Sequence, residues 1–223
     1  MRDGAPRTES SHPHRWRFAH WGLPYARDRI RLLLFSLAHP NAPWLTPDAV
    51  RFLDGWLKPT HRGMEWGAGR STLWFSRRVD SLISIEHDPA WYDRIHRMLL
   101  AQPRNNVQLM LLSKDSSEYV GIARDLPDNS VDFALVDGVS DLRDLCAVEV
   151  LPKIKPSGLL IVDDVHRYLP SLSRSPYALH PGQAASSPLW EKFSHAVAGW
   201  KVLPTSSGVT DTCIWTKPPD DHT

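Results

Sequence analysis

The stretch Met64–Leu73, "MEWGAGRSTL", puts an acidic residue, two glycines around one alanine, and then Ser71 and Thr72 at the point where an apolar strand gives way to a helix. Glycines this close together cost backbone entropy, so a fold that keeps them is using the missing side chains. At a strand-to-helix turn they let backbone approach a bulky ligand, and the helix from Ser71 offers unpaired N–H groups to its polar atoms.

Downstream of this turn, short apolar strands alternate with helical segments. "HRGME" is followed by the helix from Ser71, "SLISIE", a helix through "PAWYDRIHRMLLAQ", "NVQLML", a helix near "SSEYVGIARD" and "VDFALVD". A helix near "DLRDLCAVEVLPKI" and the strand "GLLIVDD" complete the series. Such alternation with right-handed crossovers predicts a parallel sheet in a doubly wound α/β fold. The 22-residue stretch Arg167–Pro188 is irregular, rich in Pro and Ser, and long enough for a lid. A helix "LWEKFSHAVA" then precedes "GWKVLP" and "TDTCIWTKP", two strands joined so closely that they must pair as an antiparallel hairpin.

Upstream, residues 1–14 are polar and aperiodic, which predicts a disordered tail, and residues 15–45 form an N-terminal helical extension. Within it, "YARDRIRLLLFSLA" sets Ile30, Leu33, Leu34 and Leu37 at helical spacing. That stripe is expected to dock on the main domain or a partner subunit, in preference to lying on a membrane. In "LTPDAVRFLDGWL", Thr46 before Pro47 and Asp48 signals a helix start, with Val50, Leu53 and Leu57 on one face.

With 223 residues the chain suits one α/β domain plus that extension. Its 26 Lys and Arg against 25 Asp and Glu give a net charge of +1 and no global attraction to nucleic acid. Cys146 and Cys213 lie in apolar runs, as buried free thiols of a reducing compartment would, so the expected location is the cytoplasm. No apolar run is long enough to span a bilayer, and the first thirty residues lack the apolar core of a signal peptide. Ten tryptophans are mostly core or rim packing, with Trp44, Trp66 and Trp190 near turns or helix starts.

A five-stranded parallel sheet closed by a hairpin resembles the Rossmann-like, seven-stranded class I S-adenosylmethionine methyltransferases over Thr46–Pro218, leaving 219–223 as a tail. In that family the first strand ends in an acid and a Gly-x-Gly turn follows, which Glu65, Gly67 and Gly69 match, with Ser71 opening the helix. Glu86, ahead of His87, ends the second strand about twenty residues on, where nucleotide-binding folds place a carboxylate for ribose hydroxyls. The resemblance implies that Asp115 contacts the adenine region; its position equally suits a cap on the next helix. NAD is the rival cofactor. Against it, the third fingerprint glycine falls at Thr72, and Glu65 would oppose a pyrophosphate where it suits a sulfonium and an ammonium.

Active sites of open α/β sheets lie at the carboxyl ends of the strands. Strand four ends at Asp137 and strand five at Asp163 and Asp164, with His166 just beyond; converging carboxylates invite a hard cation such as Mg²⁺. The pattern resembles the metal-dependent small-molecule O-methyltransferases, which implies Asp137, Asp163 and Asp164 as metal ligands. The Lys or His that often follows the strand-four acid as base is absent from "DGVSDLRD", where Val139 and Ser140 stand. His166 is then the expected base, with Asp137 and His166 as the expected catalytic residues, although Asp164 capping a turn, Asp137 bonding loop backbone and His166 as a surface residue are open alternatives. The expected function is methyl transfer to an oxygen of a small molecule. Alternatives are a degenerate methyltransferase fold serving as a binding partner and an NAD-dependent oxidoreductase. The N-terminal helices are a candidate homo-oligomer contact.

Overall fold

The computed structural model describes residues 22–102 and 105–220. The tail expected over 1–14 and the first part of the extension lie outside these residues, as does most of the C-terminal tail. Helix α1 (Leu23–Ala38) and helix α2 (Pro47–Trp56) precede the sheet. Thr46 caps α2, its hydroxyl accepting from the Ala49 amide, and Ala49, Val50 and Leu53 face inward.

Strands β1 (Arg62–Trp66), β2 (Ser81–Glu86), β3 (Val107–Leu111), β4 (Val131–Val136) and β5 (Ile154–Asp163) are parallel. Their helices are α3 (Arg70–Ser76), α4 (Pro89–Leu100), α5 (Ser117–Gly121) and α6 (Arg143–Val150). Helix α7 (Pro188–Ala196) leads to β6 (Lys201–Ser206) and β7 (Asp211–Thr216), the antiparallel hairpin. The sheet order is β3-β2-β1-β4-β5-β7-β6. This is the seven-stranded, Rossmann-like class I arrangement, with order reversing next to β1 and β4.

Alternation along the strands divides the core. Met64, Trp66, Ala134, Val136, Leu160 and Val162 pack under α5, α6 and α7. Phe133, Leu135, Leu159 and Ile161 pack under α2 and α3. Cys146 and Cys213 are buried free thiols, and burial pushes Cys213 up to about 12. Among the described residues no helix is long and apolar enough to cross a membrane.

Three elements differ from the sequence reading. Helix α6 stops at Val150 because Pro152 cannot continue it, and "LPK" forms a 3₁₀ turn. Helix α5 spans only Ser117–Gly121 and ends on its glycine. On α1, the stripe Ile30, Leu33, Leu34 and Leu37 does not dock on the domain; all four side chains are exposed, while Asp28 is the buried residue of the helix.

Candidate active site

The carboxyl ends of β1, β2 and β4 open into a cleft of about 720 Å³ lined by Gly67, Gly69, Ser71, Glu86, His87 and Asp137. The two glycines serve it differently. Gly67 has φ +94°, and a Cβ there would stand 2.6 Å from the Asp137 carbonyl oxygen, so backbone alone demands glycine. A Cβ on Gly69 would have the Trp91 indole nitrogen as its nearest neighbour, at 3.9 Å. The chain leaves that volume open.

Glu65 does not line the cleft. It is fully buried, where Thr72 and Ser84 donate hydroxyl hydrogen bonds to Oε1, the latter at 2.8 Å. Its Oε2 has no partner, and burial raises the carboxyl to about 7. Thr72, standing where a dinucleotide fingerprint has glycine, also accepts the Gly69 N–H at 2.8 Å. Glu65, Thr72 and Ser84 therefore hold the glycine turn from behind.

Glu86 is aimed by its own backbone: the amides of His87 and Asp88 both donate to Oε1 at 2.8 Å, and His87 Nδ1 lies 3.0 Å from the same oxygen. Asp115 stands apart. Its side chain is 81% exposed and paired with Lys114, and Ser116 caps α5 in its place. Two aromatic residues that pattern reading had not assigned to a ligand form the outer wall. Trp91 donates its indole N–H to the Ala68 carbonyl at 2.6 Å, and the exposed Trp44 stacks on it with centroids 6.4 Å apart. Trp66 and Trp190 belong to the core.

The three strand-end aspartates do not make a metal centre. Among the described residues, no group of three His, Cys, Asp or Glu side chains is arranged to hold a metal ion. Each carboxylate is answered by the protein. Asp163 is buried and accepts from the Thr212 hydroxyl at 2.6 Å; Asp164, in left-handed backbone at φ 54°, accepts from the Thr210 hydroxyl at 2.6 Å.

Asp137 meets a buried guanidinium. Arg143, at the first position of α6, donates from Nη2 to Asp137 Oδ1 at 2.9 Å and to the Asp137 carbonyl at 3.1 Å. It also donates from Nη1 to the Asp163 carbonyl at 2.7 Å and from Nε to the Gly138 carbonyl at 3.0 Å. Arg143 thus pairs with the carboxylate of Asp137 and holds Asp163 through its backbone carbonyl. Sequence reading passed over Arg143, whose signal was an arginine six positions after the strand-four acid. Burial raises Asp137 to about 6, with Arg143 opposing the shift and Asp164 adding to it.

His166 also misses the cleft. It is 1% exposed, neither ring nitrogen makes a hydrogen bond of normal geometry, and burial pushes its pKa below the ordinary value against Asp211 and Asp164. The 167–188 segment runs over it, tied down by the Leu179 amide to the His166 carbonyl at 2.8 Å and by Tyr168 stacked on Trp190 at 5.1 Å.

This strand order, with a glycine turn and a carboxylate at the ends of β1 and β2, defines a class I methyltransferase fold. Residues 64–165, from the glycine turn to just past β5, match the family described as a methyltransferase domain, over just under half of the chain. No curated protein matches the chain in sequence. Three solved structures share its fold at low identity. A protein from Corynebacterium glutamicum is 15% identical, with 94% of this chain and 97% of that one covered and a TM-score of 0.57. A candidate caffeoyl-CoA O-methyltransferase from Staphylococcus aureus is 14% identical, covering 90% and 95%, with a TM-score of 0.56. A candidate methyltransferase from Streptococcus mutans, in complex with S-adenosylhomocysteine (SAH), is 12% identical, covering 75% and 94%, with a TM-score of 0.51.

Proposed function

We propose that this chain transfers a methyl group from S-adenosylmethionine to a hydroxyl oxygen of a small molecule. The observation that carries the reading is the open volume at Gly69, between the backbone-aimed carboxylate of Glu86 and Asp137. When bound, the donor supplies a methyl already activated by its sulfonium. Everything else falls to the chain. Glu86 accepts the ribose hydroxyls, as a carboxylate fixed by two amides can without reorganising. Ser71 and His87 flank the same ligand, Gly69 gives it room, and the Trp44–Trp91 pair bounds it on the solvent side. Positioning the acceptor in line with the methyl supplies much of the rate.

Asp137 is the group that takes the acceptor's proton. Raised to about 6, it is ionised at neutral pH yet basic enough to accept a proton as the oxygen reacts. Arg143 orients it and supplies the positive charge beside it, so the residues present do not call for Mg²⁺.

Calorimetry and transfer from labelled donor to a panel of catechols, sugars and other hydroxylated small molecules test this reading. SAH should bind and NAD should not, and Glu86→Ala should weaken SAH by about 1.5–3 kcal/mol. Transfer should survive EDTA and be lost in Asp137→Asn. Abolition by EDTA with rescue by Mg²⁺ would overturn the role given to Arg143. Confirmed SAH binding with no transfer to any acceptor would leave a binding protein on a methyltransferase fold.

A further inference from the structure

Helix α1 turns its apolar side away from the protein. Around a helix of 3.6 residues per turn, Leu23, Ile30, Leu33, Leu34 and Leu37 share one side, and they are 89, 58, 58, 59 and 67% exposed. The opposite side rests on the domain: Phe35 packs against the core, and buried Asp28 pairs with Arg174 at 3.4 Å and Arg27 at 3.3 Å. Arginines border the bare stripe, Arg27 and Arg31 along one flank and Arg29 along the other, all exposed. Asp28 is the only acidic residue of the helix, and it faces inward. Behind the helix, a cleft of about 880 Å³ is lined by Arg27, Arg31, Arg51 and Arg174 together with Asp28, Asp48 and Asp211. Asp28 and Asp48 pair with these arginines, so the arginine that stands free of this cleft is Arg29 on the outer flank.

A contiguous leucine face of this kind marks a contact surface. The charges decide the partner. A second copy of the chain would set one arginine-bordered face against another, with no outward carboxylate on either helix to answer them. An anionic bilayer surface answers both features, because acyl chains take the leucines while phosphates meet the arginines. The sixteen-residue helix is about 24 Å long, which suits lying in the interface and not crossing it. We propose that α1 is an interfacial anchor that holds the domain on an anionic lipid surface.

Sedimentation of the full chain with lipid vesicles tests this directly. The protein should pellet with phosphatidylcholine vesicles containing about 30% phosphatidylglycerol, and much less with pure phosphatidylcholine or at high salt. The double variant Leu33→Ser, Leu34→Ser should lower the bound fraction at least tenfold, and Arg29→Glu should weaken binding selectively on the anionic vesicles. Both variants should keep the wild-type melting temperature and SAH affinity, which separates this test from the methyl-transfer reading. Absence of binding to the anionic vesicles, or equal binding by the double variant, overturns the proposal. A solution dimer that the double variant dissociates overturns it too, and gives the face to a second copy.

Discussion

Gly67 and Gly69 look alike in sequence and do different work, because one is constrained by the chain and the other by nothing the chain contains. Gly67→Ala puts a Cβ into left-handed backbone and against the Asp137 carbonyl, and should cost at least about 2 kcal/mol in urea unfolding. Gly69→Ala should unfold like the wild type yet lose at least about tenfold in SAH affinity, since its φ of 179° suits any residue and only a ligand contests the space. A Gly69→Ala protein that melts early would show that the turn itself needs this glycine. The need for glycine was legible in the sequence, whereas its reason at each position was not, since that depends on where β4 ends in space. Glu65 makes the same point: its place at a strand end was readable, its burial behind Thr72 and Ser84 was not. Because burial favours the neutral acid, the contribution of Glu65 to stability is fully present below the unfolded value near 4.5 and is lost as pH rises to about 7. Glu65→Gln should flatten this pH dependence of denaturant midpoints by about 3 kcal/mol; an unchanged slope would place the ionised carboxylate in contact with water.

Among the elements, the strands were the most readable, because two-residue alternation and the spacing of turns follow directly from sheet geometry. The facing of helices was not. Periodicity says that α1 has an apolar side, but the packing of Phe35 on the core and the burial of Asp28 against Arg174 show that this side faces out. The segment after β4 lacks the expected base at Val139 and Ser140, and the first residue of α6, Arg143, is the cation that pairs with Asp137. From there Arg143 grips the ends of both β4 and β5 through carbonyl oxygens that a point charge cannot serve together. Arg143→Lys keeps the charge and loses the fork, so it should cost about 3 kcal/mol of stability by chemical denaturation. The rate should also report on this pair. In the wild type, kcat/KM should rise with pH through about 6 as Asp137 ionises. Where Arg143→Lys is folded, that rise should move to higher pH, because the guanidinium bond holding the carboxylate ionised is gone. A profile flat from about pH 5 to 8 would remove Asp137 as the base.

Across the whole molecule, a buried chain of hydroxyls joins segments far apart in sequence. The Thr46 amide donates to Thr212 Oγ1 at 3.1 Å, Thr212 Oγ1 donates to Asp163 Oδ1 at 2.6 Å, and Thr205 Oγ1 donates to the Thr212 carbonyl at 2.6 Å. The start of α2, the end of β5 and both hairpin strands are thereby fixed to one another beside the strand-end carboxylates. Nothing in the sequence marks these threonines, since the network exists only once β7 pairs antiparallel with β5 and sets Thr212 opposite Asp163. Asp163 is raised well above the usual carboxylate range, first by burial and then by Asp137, with the Thr212 bond opposing both. Its neutral form is therefore the one the fold prefers, and its contribution declines as pH rises above the unfolded value. Thr212→Val removes the hydroxyl that eases ionisation and also strands the Thr46 amide, whereas Thr212→Ser preserves both bonds. Thr212→Val should lose roughly 2–4 kcal/mol in urea unfolding at neutral pH, because it leaves the Thr46 amide and Asp163 without their shared partner. Thr212→Ser should stay within about 1 kcal/mol of wild type, since it keeps the hydroxyl and loses only a methyl group. Equal losses for the two variants would mean that the threonine acts by packing alone and that the hydroxyl chain does not tie α2 to the hairpin.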